Sequence, residues 1–212
     1  MSASKGELGG CMLPRTLKRG LKLLVYSHTM ERAITEQTVL AVDLDGTLIH
    51  GDLFRTSLIK LILTNPLYLL IIPFWLCRGR AFLKCRIAQR VQVDPAALEY
   101  RDEVLEYVRA ERRSGRTTVL ATGSDEALAR PVADYLGCFD ELVASDGLRN
   151  CTGHTKCQVL IERFGAQQYD YIGNSPVDLA VWENAAGVLV ASKSPRFNKR
   201  VQRQFEVLRV FS

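Results

Sequence analysis

The chain has 212 residues, 47% of them hydrophobic and 24% charged, which is enough apolar material for one substantial core and argues against a disordered or low-complexity protein. Its net charge of +5 is concentrated at the front: residues 51–90 alone carry Arg55, Lys60, Arg78, Arg80, Lys84, Arg86 and Arg90 against the single acid Asp52. Six cysteines with no Cys-x-x-Cys pair and no zinc-type spacing read as reduced thiols of a cytoplasmic protein, not as a disulfide framework.

In chain order, residues 1–37 form an N-terminal extension. Within it Leu13, Leu17, Leu21 and Leu24 recur at helical spacing between basic residues, as in a surface-seeking amphipathic helix. The alternative is a natural start at Met30, with the preceding stretch outside the fold; a cleavable signal peptide is not expected. TVLAVD (38–43) reads as the first strand. An insertion, 51–93, follows it. From Ser57 to Cys77 the insertion is mostly Leu, Ile and aromatics, broken by Lys60, Thr64-Asn65-Pro66 and Pro73. Its cleanest run, Pro66 to Cys77, falls short of the roughly 20 residues needed to span a bilayer. Two readings stand: a helical hairpin in a membrane interface with its Arg and Lys residues on anionic head groups, or the buried core of a lid over the sheet.

The rest alternates amphipathic and short apolar runs. A helix is expected over 94–115, capped by Asp94 with Pro95 next and Gly115 beyond its end. Strand two is 117–122, followed by a helix over 124–137 that contains Pro131. Strand three (141–145), a helix (155–165), strand four (169–173), a helix (175–185) and strand five (187–191) complete the pattern. Such alternation predicts a three-layer α/β/α fold with a mainly parallel five-stranded sheet, whose core is 38–50 plus 94–192 and whose active site lies at the carboxyl ends of the strands. Residues 193–212 read as a C-terminal tail.

Strand one ends in DLDGT (43–47). A carboxylate in the position of Asp43 can attack phosphorus to form an aspartyl-phosphate, and Asp45 can give a proton to the leaving group and then take one from water. Gly46 allows the tight turn and Thr47 can hold it by its hydroxyl. Two adjacent anions facing a phosphate call for a divalent cation, and hard oxygen donors favour Mg²⁺. Asp-x-Asp-Gly also occurs in plain turns and calcium loops, but the regular strand before it and the lack of further acids at alternating positions argue against both.

These residues resemble the first motif of the haloacid dehalogenase superfamily, and three further motifs follow in order over about 38–192. The resemblance implies a Rossmann-like core and a phosphohydrolase. It implies that Thr122, in VLATGS, hydrogen-bonds a phosphoryl oxygen, with Gly123 letting backbone amides approach the phosphate and Ser124 capping the next helix. It implies that Lys156 neutralises nucleophile and phosphate, and that Gly46, Thr122, Gly123 and Lys156 bind phosphate. The fourth motif departs from the pattern: in GNSPVD, Asn174 stands where an acid is common and Asp178 is the second acid. The implied Mg²⁺ ligands are Asp43, the backbone carbonyl of Asp45, Asp178 and Asn174, the last directly or through water.

The insertion, with Ser57, Leu58, Asn65 to Leu67, Pro73, Trp75, Arg78, Gly79 and Lys84, is similar to the cap of such domains fused ahead of UbiA-type membrane prenyltransferases, and more distantly to phosphatidylglycerophosphatase C. That likeness implies a lipid-linked or isoprenoid phosphate as substrate, a peripheral membrane contact through 57–85 on the inner face of the cytoplasmic membrane, and a membrane prenyltransferase as partner. The alternatives are a soluble phosphosugar or nucleotide substrate, or a non-catalytic module docked on such a transferase. No nucleic-acid partner is expected, since the basic residues interleave with Leu and Ile and make no aromatic platform.

Overall fold

The computed structural model describes residues 38–211. The amphipathic pattern over 13–30 lies outside that range. Six strands form one fully parallel sheet: β1 (Val39–Val42), β2 (Thr118–Asp125), β3 (Glu141–Ser145), β4 (Tyr169–Gly173), β5 (Gly187–Ala191) and β6 (Val207–Phe211), in the order β3-β2-β1-β4-β5-β6. The α/β/α class and all five predicted strands hold. The tail is not a passive end, however: a helix over Pro195–Gln204 returns the chain so that Val207–Phe211 pairs with β5 and Phe211 is fully buried.

β1 is short because it is central. Each of its residues pairs with β2 or β4, and its last three side chains are fully buried, so a run of Val, Leu and Ala suits both faces. Leu40, Val42, Leu120 and Ile172 enter the core on one side of the sheet, and Ala41, Val119, Ala121 and Tyr171 that on the other. The order reverses at β1, and in open α/β sheets the crevice beyond such a reversal is where ligands bind. DLDGT begins at that point.

The insertion folds as three helices, α1 (Leu53–Thr64), α2 (Tyr68–Cys77) and α3 (Arg80–Ala88), around a small core of Leu61, Trp75, Leu83, Ile87 and Val91. Asn65-Pro66 separates α1 from α2, and α2 continues through Pro73. Of the ten residues of α2 only Trp75 is buried. The cap therefore has a core, as the lid reading expects, and also an unburied apolar face.

Two predicted helices are shorter than their periodicity suggests. Asp94 does act as a cap, accepting from the Ala96 N–H, but of a single 3₁₀ turn, Pro95–Ala97. Helix α4 starts only at Asp102 and runs to Arg113. The residues between strap the cap base to the core: the His50 N–H donates to the Glu99 carbonyl and the Arg101 N–H to the Leu48 carbonyl. The segment after β4 likewise makes a 3₁₀ turn, Pro176–Asp178, and a four-residue helix, Leu179–Trp182, because the Asp178 carboxylate is spent holding the turn. Helix α5 (Glu126–Leu136) is capped by Asp125, not Ser124, whose hydroxyl is used elsewhere.

Candidate active site

The carboxyl ends of β1, β2 and β4 and the first turn of α6 (His154–Phe164) line a cavity of about 710 Å³ roofed by the cap. Asp43, at the end of β1, is buried; Lys156 Nζ donates to its Oδ1 at 2.6 Å and the Thr47 hydroxyl to its Oδ2 at 3.2 Å. Lys156 is itself buried and also donates to the Tyr171 hydroxyl at 2.8 Å. Tyr171 passes the chain on, donating to Asp178 Oδ1 at 2.9 Å, and Lys156 stands 4.0 Å from that oxygen. Asp178 Oδ2 accepts from the N–H groups of Asn174 and Ser175 and from the Ser175 hydroxyl. One cation thus sits between two buried carboxylates, with a phenol wedged beside it.

Asp45 faces a different set of donors. Its Oδ2 accepts from the hydroxyls of Ser124, at 2.7 Å, and Thr122, at 3.2 Å, while its Oδ1 accepts from the Leu53 N–H at 2.7 Å. Leu53 is the first residue of α1, so the carboxylate is tied to core and cap at once. Thr122 is fully buried and holds Asp45 in this form. Gly46 sits in the left-handed region, φ +76°, and its N–H closes the turn onto the Gly51 carbonyl. A β-carbon there would stand 2.2 Å from Asn174 Nδ2, and one at Gly173 would stand 2.7 Å from Asp178 Cγ. Both glycines leave the room in which the fourth-motif side chains stand.

Every site residue expected from the sequence lies in or directly under this cleft. Four that take part were not expected. Tyr171 couples Lys156 to Asp178; Arg101 donates to the carbonyls of Gly46 and Thr47 and steadies the DGT loop. Ser124 holds Asp45, and Lys84 reaches in from the cap. Strand alternation places Tyr171 on a buried face but does not name its partners, and nothing local marks the other three.

Burial pushes the Asp43 carboxyl up to about 7; Lys156 opposes this, while Asp178 and Asp45 add to it. Burial alone would lower Lys156, but Asp43 and Asp178 outweigh it and hold the ammonium firmly charged. Asp45 is also raised, again mainly by burial. Because folded Asp43 binds its proton more tightly than in the unfolded chain, its ionisation lowers stability as pH rises from about 4 to about 7, and the loss levels off above that. An Asp43→Asn variant lacks this component. Its melting temperature relative to the wild type, without added metal, is therefore expected to climb by several degrees between pH 5 and pH 7.5 in thermal unfolding.

Among the described residues no three His, Cys, Asp or Glu side chains converge to hold a metal unaided. A hard-cation site here must combine two carboxylates, Asp43 and Asp178, with amide and backbone oxygens. The excess of buried negative charge over Lys156, and the opening of Asp43, Asn174 and Asp178 onto the cavity, fit a small divalent ion.

The haloacid dehalogenase-like hydrolase profile matches residues 40–183, the span that contains every one of these side chains. An uncharacterized protein, y4nM, of Sinorhizobium fredii is 35% identical over 174 residues, or 82% of this chain and 33% of that protein, so this chain spans about a third of that relative's length. A protein of unknown function from Bordetella pertussis Tohama I shares the fold at a TM-score of 0.58 and 17% identity, over 84% of this chain and 99% of that one. Phosphoserine phosphatase in its apo form shares it at 0.55 and 13%, over 83% and 94%. The ordered motifs, the order of the sheet and the profile agree, and the chain belongs to the haloacid dehalogenase-like hydrolase family.

Proposed function

We propose that the protein is a phosphomonoesterase that works through an aspartyl-phosphate on Asp43. The observation that carries this reading is the Asp43 carboxylate held at 2.6 Å by a buried lysine beside a second acid that is separately held and protonatable. An Asp43 oxygen attacks the phosphorus, the P–O bond to the leaving group breaks, and Asp45 gives that oxygen its proton. Asp45 then takes a proton from water, whose oxygen attacks the phosphoryl group, releasing inorganic phosphate and restoring Asp43. Lys156 orients the nucleophile and offsets the charge that gathers around it. Once Thr122 releases Asp45, its hydroxyl can serve a phosphoryl oxygen, beside Gly123. Asp43, the Asp45 carbonyl, Asp178 and Asn174 would hold Mg²⁺; Asp178 Oδ1 keeps acceptor capacity beyond its one bond from Tyr171. Bound there, the ion would offset the carboxylates and draw charge from the phosphoryl oxygens. Phosphoserine phosphatase, which shares this fold, acts on a phosphate ester, and one of its structures is of a phospho-aspartyl intermediate analogue. Release of phosphate from p-nitrophenyl phosphate with Mg²⁺, set against Asp43→Asn, tests the assignment.

The substrate is proposed to be a lipid-linked or isoprenoid phosphate met at a membrane surface. Ile59, Leu63, Leu67, Leu69, Leu70 and Phe74 on α1, α2 and their connection are more than half exposed, and residues 53–93 contain seven Lys or Arg and no Asp or Glu. Each such side chain gains roughly 1.5–3 kcal/mol on full burial, and the basic residues suit anionic head groups. No helix among the described residues is long and apolar enough to cross a membrane, so contact is interfacial. Leu76 belongs both to this exposed face and to the cavity lining, which links the face to the cleft. A membrane prenyltransferase as partner rests on the cap's resemblance. In flotation with anionic vesicles the protein is expected to rise with the lipid, and the combined Leu63→Ser, Leu70→Ser and Phe74→Ser variant to stay below with its melting temperature unchanged. Wild-type protein left at the bottom would remove the membrane contact.

A further inference from the structure

Lys84 is the cation the mechanism leaves unused. It lies on α3, in the cap, yet its Nζ donates to the carbonyl of Gly123 at 2.5 Å and to Asn150 Oδ1 at 2.8 Å, on the core side of the cleft. Gly123 lies in the stretch between Ala121 and Asp125 where the pairing of β2 with β3 shifts register, and its carbonyl accepts both from Lys84 and from the Ser145 hydroxyl. Both acceptors of Lys84 are neutral, and it is in no ion pair within 4.0 Å among the described residues. The acids nearest in charge are committed: Asp45 to Leu53, Thr122 and Ser124, and Asp52 to the Arg55 N–H as the cap of α1. Arg80, one turn earlier on α3, lines the same cavity.

A cap latch needs only a hydrogen-bond donor, and a side-chain amide would serve two carbonyls without taking a charge out of water. A half-buried ammonium kept there without a carboxylate is suited to an anion. Lys156 already serves Asp43 and the reacting phosphoryl group. We infer that Lys84 and Arg80 form a second anion subsite on the cap wall, so that the preferred substrate is a phosphomonoester whose leaving group carries its own negative charge. This rests on the phosphomonoesterase reading and narrows it, away from a simple isoprenoid monophosphate, whose leaving group is an uncharged alcohol, and toward a lipid-linked phosphate that bears a second acid. The Phe54 ring, 5.9 Å from Lys84 Nζ, and Leu83 and Leu76 supply apolar lining to the same cavity, which suits a leaving group that carries an apolar portion beside its charge.

Three matched esters test the subsite by phosphate release in Mg²⁺: phenyl phosphate, 3-carboxyphenyl phosphate and 1,3-phenylene bisphosphate. The two charged esters are expected to show KM values about tenfold below that of phenyl phosphate, the scale of one charge-assisted contact. The arm that gains more tells carboxylate from phosphate as the second anion. Lys84→Gln keeps a donor for both carbonyls without the charge, and is expected to collapse the preference, while Lys84→Arg retains it. Equal KM values for all three esters in the wild type, or a preference that survives Lys84→Gln, would overturn the subsite alone. Release of no phosphate from any of them would overturn the phosphomonoesterase reading beneath it.

Discussion

Asp43→Asn is expected to lower phosphate release by at least about 10⁴-fold while the protein stays folded. The amide is nearly isosteric, and its oxygen can still accept from Lys156, now 2.6 Å from Asp43 Oδ1. What it cannot do is displace an alkoxide from phosphorus, because an amide oxygen has neither the charge nor the basicity of a carboxylate. Electrostatic assistance from Lys156 and proton transfer by Asp45 act only on an attack that no longer occurs, so the loss does not divide among them. The thermal comparison across pH runs in parallel: the variant that loses turnover is the one that should gain relative stability toward neutral pH, since a buried acid held near 7 costs stability once ionised. Equal rates for wild type and variant would make the measured hydrolysis background and favour a docking module that keeps the fold without its chemistry.

The second large effect is expected at Lys156, which is buried and sits between two acids. Lys156→Met fills similar volume but leaves Asp43 and Asp178 facing each other through the Tyr171 hydroxyl with no cation. Removing one partner of a buried pair typically costs about 3–5 kcal/mol, more than the pair contributes, because the remaining charge is stranded. In a chain of this size that corresponds to a fall in melting temperature of roughly 10 °C at neutral pH. The fall should shrink in acid, where Asp43 takes up its proton and the repulsion fades. Turnover should drop by about 10²–10³-fold, the scale for losing one preorganised electrostatic donor. A melting temperature unmoved at neutral pH would mean that Lys156 does not carry the charge balance assigned to it.

Much of this site is legible in the residues because its parts are local. DLDGT needs a strand end, two acids and a glycine that tolerates a positive φ, all within five residues, and the short apolar runs that became β1 to β5 end where the polar motif residues begin. Thr122, Lys156 and Asp178 are picked out by the resemblance, from their places in the ordered motifs. The misread helices show the limit of that reasoning. Residues 94–101 carry a cap signal and helical spacing, yet Arg101 and the backbone around it are needed to strap the DGT loop, and tertiary contacts override propensity.

Periodicity and motif order by themselves determined the layered α/β class, the strands through β5, the pair of acids at the end of β1 and the apolar, basic character of the cap. Only the tertiary structure decided that the tail supplies a sixth strand, that Tyr171 bridges Lys156 to Asp178, that Ser124 holds Asp45, and that Lys84 crosses from the cap to Gly123. The reason is physical: alternation and capping are set by neighbours a few residues apart, whereas these contacts join segments tens of residues apart. Such segments meet only when the burial of the whole core offsets the entropy of closing the loops between them.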